Sequence, residues 1–146
     1  MRKVSVYSTD TERLLLSSVT TVYGFSVIDE PKIRLLATAE PLSIGNAVLE
    51  CLDYPKDVVP YPDDIAERKS QEKKPLEYLG VKRWSEFARN SRMISVKRTK
   101  DGKMEVIPYR IGEKNAFYPD YDHPQHCEVD SAAIGNMLRS MFAMKD

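Results

Sequence analysis

Glycine and cysteine are scarce in this chain, and long hydrophobic runs are absent. The six glycines form no G-x-G-x-x-G or Walker pattern, so nothing in the sequence supports nucleotide binding. The two cysteines, Cys51 and Cys127, cannot make a disulfide framework, and we expect free thiols in a reducing cytoplasm. Apolar stretches are shorter than the roughly 20 residues that cross a bilayer, and Asp10 and Glu12 stand where a signal peptide would be apolar. We therefore expect a cytoplasmic protein without a membrane segment.

Charge is balanced overall, with 22 acidic and 22 basic residues, but the two signs are unevenly distributed along the chain. Residues 28–67 hold nine acidic and three basic side chains, residues 68–114 hold six and fourteen, and residues 115–146 hold five and two. Two interpretations are open. Either the charged faces are solvated and their fields cancel, or an acidic surface steers the encounter with a basic partner.

Length and residue patterns predict one α/β (α+β) domain spanning residues 1–146. We expect a single mixed or antiparallel sheet, with a β-hairpin and two repeated strand–helix units packed on it. The hairpin is the clearest local signal, because β-prone residues flank the turn dipeptide Asp101-Gly102. The expected elements are strands near 4–7, 13–27 and 33–36, an amphipathic helix at 40–52, an exposed excursion with at most two helical turns at 58–75, two short helical turns around Gly80 at 76–90, hairpin strands at 92–99 and 103–110, a polar loop at 112–124, and a closing helix at 131–143.

The two amphipathic helices carry an internal repeat. The tripeptide Ile-Gly-Asn occurs at 44–46 and again, 90 residues later, at 134–136. A glycine inside a helix costs about 1 kcal/mol relative to alanine. Its placement twice at one position predicts a close approach of each helix to the sheet or to the other helix, although two unrelated helices remain the alternative. The repeated apolar stripes are Ile44, Val48, Cys51 and Leu52 in the first helix, and Ile134, Leu138, Met141 and Phe142 in the second.

One cluster contains metal-binding and acid–base groups, namely Asp120, Asp122, His123, His126 and Cys127. A structural zinc site needs four converging ligands, and the sequence offers no second ligand pair such as C-x-x-C. Nucleophilic catalysis needs an activated thiolate and an orienting third group, whereas a cysteine beside a strand is typical of a core. We therefore predict no enzyme activity, no cofactor and no bound metal.

Tyrosines combined with carboxylates are better candidates for a binding surface. The tripeptide Tyr-Pro-Asp occurs at 61–63 and again at 118–120. Tyrosine supplies a large contact area at low entropic cost, and carboxylates suit a basic partner. The candidate protein-binding residues are Tyr54, Asp57, Tyr61, Asp63, Asp64, Glu67, Tyr118, Asp120, Tyr121 and Asp122.

Two other functions stay open at this point. The basic region 82–103 would suit a small nucleic-acid-associated protein. However, its hairpin lacks the interleaved aromatic residues on which bases stack, and the pI of the chain is near neutral. A hydrolase that uses His123, His126 and Cys127 is the third possibility.

The sequence also resembles the immunity proteins of bacterial contact-dependent growth inhibition systems. The resemblance spans most of the chain, but its motifs are packing motifs, and the family more often has leucine where isoleucine precedes each helical glycine. The motifs are Gly24-Phe25-Ser26-Val27 followed by Pro31, Leu35, Ile44-Gly45-x-Ala47-Val48-Leu49, Gly80-Val81-x-x-Trp84-x-x-Phe87, the hairpin, and the closing strand and helix with Ile134-Gly135.

This resemblance implies a cytoplasmic antidote that binds the C-terminal toxin domain of a cell-surface effector, often a nuclease, and blocks its substrate site. It implies a monomer in a 1:1 complex with the cognate toxin domain, without direct contact to nucleic acid or membrane. Toxin-contacting residues vary between members of that family, so no site residue is carried over. The candidate residues therefore rest on the acidic, tyrosine-bearing segments alone.

Overall fold

The computed structural model describes residues 2–21, 26–54, 58–59 and 64–144. Within these ranges, no helix is long and apolar enough to cross a membrane. The strands are β1 (Arg2–Ser8), β2 (Glu12–Thr21), β3 (Ser26–Leu36), β4 (Val58–Val59), β5 (Arg92–Arg98), β6 (Met104–Ile111), β7 (Phe117–Pro119) and β8 (Gln125–Cys127). The helices are α1 (Pro41–Leu52), α2 (Ile65–Leu79), α3 (Trp84–Arg89) and α4 (Ser131–Ala143).

One sheet organises the molecule, with the strand order β3-β2-β1-β5-β6-β7. Neighbouring strands along this order pair antiparallel, and the hairpin expected around Asp101-Gly102 is formed by β5 and β6. The short β4 pairs parallel with the end of β2, while β8 shares the outer edge of β6 with β7. The prediction of a mixed α and β domain built on one sheet is confirmed.

The sheet consists of two structurally repeated halves, residues 2–54 and residues 92–144. An offset of 90 residues places β1 on β5 and α1 on α4. Ser5 lies opposite Ser95 in the β1–β5 pair, as expected for a two-fold relation that exchanges the halves. Both strands read Arg-x-(Val or Ile)-Ser-Val, so the sequence contains a second signal of the repeat beyond the helices.

The turn after the first strand of each half is also repeated. Thr9 Oγ1 accepts a hydrogen bond from the backbone N–H of Glu12 at 3.0 Å, and Thr99 Oγ1 accepts one from Lys103 at 3.2 Å. The second turn is one residue longer, because Ser8 pairs with Arg13 whereas Arg98 pairs with Met104. Residues of β6 therefore correspond to those of β2 at an offset of 91.

The repeated helical glycines lie where α1 and α4 touch. A Cβ atom on Gly45 would come within 1.8 Å of the Ser131 carbonyl oxygen, and one on Gly135 within 1.7 Å of the Pro41 carbonyl oxygen. The contact is reciprocal, since each glycine meets the first residue of the opposite helix. Of the two predicted close approaches, the one to the other helix is observed.

Each face of the sheet has its own core, because successive strand residues point to opposite faces. On one face, Val4, Val6, Ile94 and Val96 pack with α1 and α4. On the other face, Tyr7 is buried with Leu14, Leu16, Phe87 and Met93, against the end of α2 and against α3. The ring of Tyr7 meets Trp84 and Phe87 at centroid distances of 5.6 and 5.3 Å. The predicted placement of Trp84 and Phe87 on one side is confirmed.

The limit of two helical turns expected in the excursion at 58–75 is wrong, although most of the described residues from 64 to 74 are exposed as expected. Helix α2 has 15 residues and continues to Leu79, so residues 76–90 are the end of this helix followed by α3. Asp64 caps its N-terminus by accepting from the N–H of Ala66, and Gly80 ends it at φ 72°. Pro75 inside the helix caused the error, because proline lacks an N–H and normally marks a helix end. Here its ring is buried.

The expected polar loop at 112–124 is also wrong in part. β6 continues to Ile111 and turns back into β7, with the N–H of Ala116 donating to the carbonyl of Glu113. The two central residues, Lys114 and Asn115, have φ values of 58° and 53°. Two consecutive positive φ angles define the tight hairpin turn that normally carries Asn-Gly. Because neither residue is glycine, residues 112–116 carry no local sequence signal for a hairpin.

Candidate protein-binding surfaces

The candidate residues form two groups in the sequence, from Tyr54 to Glu67 and from Tyr118 to Asp122, and the structure places Tyr54 and the second group at opposite ends of the sheet. Tyr54 follows α1 and lies beside Arg2, at the end where β1 begins. The residues from Tyr118 to Asp122 begin in β7, which pairs with the last residues of β6. Since β6 runs parallel to β1 in this sheet, its last residues lie at the end where β1 finishes. The structure therefore does not bring Tyr54 and the second group together.

The described residues of the first group are Tyr54, Asp64 and Glu67, and two of them, Tyr54 and Asp64, make contacts that support the fold. Tyr54 is 39% exposed, and the guanidinium carbon of Arg2 lies 5.1 Å from its ring centroid. Asp64 is the N-cap of α2, and Glu67 is exposed in the first turn, where carboxylates favour the positive end of the helix dipole. The remaining predicted members, Asp57, Tyr61 and Asp63, lie outside the described residues.

The second group presents two exposed tyrosines. Tyr118 and Tyr121 are 51% and 71% exposed. The ring of Tyr118 lies on Gly112, where a Cβ atom would come within 2.5 Å of its Cε2 atom. This contact holds one side of the ring against the backbone. A ring that is already fixed loses little conformational entropy when a partner covers it.

The loop at 120–124 is fixed by hydrogen bonds to Asp120. The backbone N–H of Asp120 donates to the Pro108 carbonyl at 2.8 Å, and its carboxylate accepts from the N–H of Asp122 at 3.2 Å. His123 Nδ1 lies 2.9 Å from Asp120 Oδ2. The hydrogen bond with His123 holds the pKa of Asp120 below its usual range. This carboxylate therefore stays charged at neutral pH.

A cleft of about 470 Å³ lies between this loop, the end of α4, and strands β5 and β6. Arg92 on its wall donates to the carbonyl of Phe142, at the helix end where carbonyl groups carry negative partial charge. Apolar surface beside charges of both signs is typical of a pocket that fixes a ligand or a partner side chain. The lining includes Arg92, Arg110, Asp120, His123, Phe142 and Met144.

Sequence reasoning identified Asp120 but missed the other cleft residues as a binding set. Arg92 begins β5, Arg110 is near the end of β6, and Phe142 and Met144 close the chain, so only the sheet and α4 bring them together. One sequence signal was available. Arg92 is the repeat of Arg2, at the first position of the shared Arg-x-(Val or Ile)-Ser-Val pattern.

The metal-binding and acid–base groups do not converge. Across residues 2–21, 26–54, 58–59 and 64–144, no three His, Cys, Asp or Glu side chains form a group able to hold a metal ion. Cys127 packs against the α1–α4 core, while the neighbouring His126 is exposed with its Nε2 atom 3.7 Å from Glu105 Oε2. Burial raises the pKa of Cys127, which is opposite to the shift that activates a thiolate.

The basic hairpin is accompanied by carboxylates. Ion pairs join Lys97 to Glu105 at 3.3 Å, Arg98 to Asp53 at 2.6 Å, and Lys103 to Glu128 at 3.8 Å. A carboxylate beside each of these three cations weakens the positive field on which phosphate binding depends. The nucleic-acid alternative stays a prediction and gains no support from these contacts.

Comparison with known proteins identifies the fold. No family model matches the chain, and no curated protein matches its sequence. A protein of unknown function from Neisseria meningitidis has the same fold, with a TM-score of 0.71 and 15% identity over 95% of this chain and 92% of that one. A chain of a CdiA-CT/CdiI toxin and immunity complex from Yersinia pseudotuberculosis gives a TM-score of 0.68 and 14% identity over 94% and 93%. The fold is thus shared over nearly the whole length.

Proposed function

We propose that this chain is a cytoplasmic immunity protein of a contact-dependent growth inhibition system. It binds the C-terminal toxin domain of its cognate effector in a 1:1 complex and neutralises it without catalysing a reaction. The observation that carries this proposal is the fold, shared over 94% of the chain with a member of a toxin and immunity complex. The sequence resemblance to the same family supports it.

The proposed contact surface is the loop from Tyr118 to Asp122 together with the adjoining cleft. Tyr118 and Tyr121 supply exposed aromatic anchors, and Asp120 and Asp122 supply negative charge. We propose a nuclease as the toxin, because a nuclease must neutralise phosphates with a basic cleft that an acidic loop can occupy. The first group, which comprises Tyr54, Asp57, Tyr61, Asp63, Asp64 and Glu67, is the second proposed contact set.

Co-expression tests the proposal. The toxin domain of the effector gene adjacent to this gene is expressed with and without the chain, and growth is measured. The expected result is growth arrest by the toxin alone, rescue by the chain, and a 1:1 complex of the two purified proteins by calorimetry. Absence of both rescue and complex would overturn the immunity role.

Matched charge reversals test the surface. Asp122→Lys changes an exposed acid in the proposed surface, and Glu67→Lys changes an exposed acid in the first turn of α2. We expect Asp122→Lys to slow association by roughly tenfold at low salt and less at high salt, because steering is screened. Glu67→Lys is expected to have the smaller effect. The reverse ranking would move the interface to the first group, and a dominant effect of Lys100→Glu would move it to the hairpin.

A further inference from the structure

The open cleft of the second half has a filled counterpart in the first half. The offset of 90 residues places Arg92 on Arg2 and Met144 on Tyr54. In the first half Arg2 is only 5% exposed, and its guanidinium lies 5.1 Å from the centre of the Tyr54 ring. This is cation–π geometry, and the tyrosine covers the arginine. The first half therefore shows which side chain this position accommodates.

In the first half, β3 closes the side of the position that corresponds to the cleft. The register between β2 and β3 shifts between Leu16 and Ser17, where Ser17 Oγ donates to the Pro31 carbonyl at 2.8 Å. The Cys51 thiol approaches the same carbonyl at 3.9 Å. Backbone of the third strand therefore stands against α1 in this half.

In the second half, the third strand that would form this side of the cleft is interrupted. Pro108 corresponds to Ser17, and its carbonyl points to the outer edge, where it accepts from Asp120. Its nitrogen faces the same edge but has no hydrogen to donate, so a continuous third strand cannot pair there. The third strand is split at this place into β7 and β8, with residues 120–124 between them. Met144, which lines the cleft, is 61% exposed.

We propose that the cleft accepts one aromatic side chain of a protein partner, placed over Arg92 as the Tyr54 ring is placed over Arg2. The source of the ring, a toxin domain, rests on the proposed function. Met141 and Phe142 supply apolar walls, and Asp120 with His123 offers hydrogen-bonding groups at the rim for a tyrosine hydroxyl. Buried aromatic anchors of this kind carry much of the binding energy of protein interfaces.

The first experiment uses p-cresol, the isolated side chain of tyrosine, as the probe. The full chain is labelled with carbon-13 in its methionine methyl groups and titrated by NMR. We expect saturable ring-current shifts at Met141 and Met144, with a dissociation constant on the order of 1 mM, and none at the buried Met104. Cyclohexanol is the control of similar size without an aromatic face. Absent shifts, or equal affinity for cyclohexanol, would overturn the inference.

The second experiment fills the cleft from within. Met144→Tyr recreates in the second half the arrangement of Tyr54 over Arg2, and we expect it to weaken p-cresol binding at least roughly tenfold. Met144→Leu is the matched control, because it keeps an aliphatic side chain and an open cleft. Met144 is exposed, so neither change disturbs the core. Equal p-cresol affinity of the two variants would overturn the proposed position of the ring.

The toxin domain from the co-expression test separates this inference from the immunity role. We expect Met144→Tyr to reduce protection, whereas Leu36→Tyr, at an exposed apolar position outside the cleft lining, should retain it. A protective chain whose Met144→Tyr variant protects equally well would overturn the aromatic anchor and leave the immunity role standing. If the chain binds p-cresol in the cleft but never protects, the immunity role is overturned. The aromatic side chain that enters the cleft would then not come from a toxin domain. Dimerisation abolished by Met144→Tyr would assign the ring to a second copy and overturn the toxin as its source.

Discussion

The two halves of this molecule have the same strands and helix in the same order, but they differ at the third strand. In the first half β3 is an unbroken strand of 11 residues. In the second half its counterpart is reduced to β7 and β8, of three residues each. The backbone group at the centre of the difference is the N–H that Ser17 has and Pro108 lacks. The half with the continuous strand is closed, and the half with the split strand carries the cleft.

The two halves share the packing of their strands against α1 and α4, and they differ at the outer edge of the sheet, where the third strand lies. Val4 and Val6 correspond to Ile94 and Val96, and all four are buried on the α1–α4 face. The strand ends and the loops have no such constraint, because water can satisfy their polar groups. Each position of the second half can thus be compared with its counterpart in the first half, and substitutions at matched positions test whether the two are equivalent.

The largest expected effect is at the helix contact. Gly45→Ala and Gly135→Ala should each lower the free energy of unfolding by about 4 kcal/mol, because a backbone carbonyl stands where the new methyl would lie. The two losses should agree within about 1 kcal/mol if the halves are equivalent there. Chemical denaturation measures both. Asn46→Ala is the exposed control, and a stable Gly45→Ala variant would contradict the close contact.

The second prediction compares core positions. Leu138→Ala should cost about 3 kcal/mol, within the roughly 2–5 kcal/mol seen when a buried leucine leaves a cavity. Its counterpart Val48 is equally buried but smaller, so Val48→Ala should cost about half as much. Thermal and denaturant unfolding of both variants provide the values. A nearly unchanged melting temperature for Leu138→Ala would contradict the core assignment.

The third prediction concerns the tight turn between β6 and β7. Lys114→Gly should raise the free energy of unfolding by about 0.5–1 kcal/mol, because glycine adopts a φ of 58° without strain. Asn115→Gly should give a smaller gain, since asparagine tolerates this region better than lysine. Loss of stability in Lys114→Gly would argue against the tight turn.

The smallest expected effect is the pH dependence of the Asp120–His123 contact. A carboxyl group whose pKa is lowered in the folded state contributes stability above its usual pKa of about 4 and loses that contribution as the pH falls through the lowered value. Asp120→Asn should therefore lower the melting temperature slightly near neutral pH and not in strong acid. Asp122→Asn removes the same charge without the His123 contact and serves as the control. A constant difference across pH would exclude the predicted coupling.

Local signals were sufficient where neighbouring residues alone determine the conformation. Asp101-Gly102 between two β-prone segments predicted the hairpin, and the apolar stripe before Met144 predicted α4. Local rules failed where tertiary packing opposed them. Pro75 is buried inside α2, and the helix continues past it to Tyr78 and Leu79, which pack against the Tyr7 core. Lys114 and Asn115 turn the chain without glycine because the strands on either side pair.

The sequence by itself determined the mixed α and β composition, the repeated helices and the residue types of the acidic, tyrosine-bearing loop. Only the tertiary structure decided that this loop and Tyr54 lie at opposite ends of the sheet, and that Arg92 meets Phe142 and Met144 in one cleft. The physical reason is the separation along the chain of the residues that interact. Helix stripes and turn residues act over a few positions, whereas this cleft depends on strand order and register and brings together Arg92 and Phe142, which are 50 positions apart.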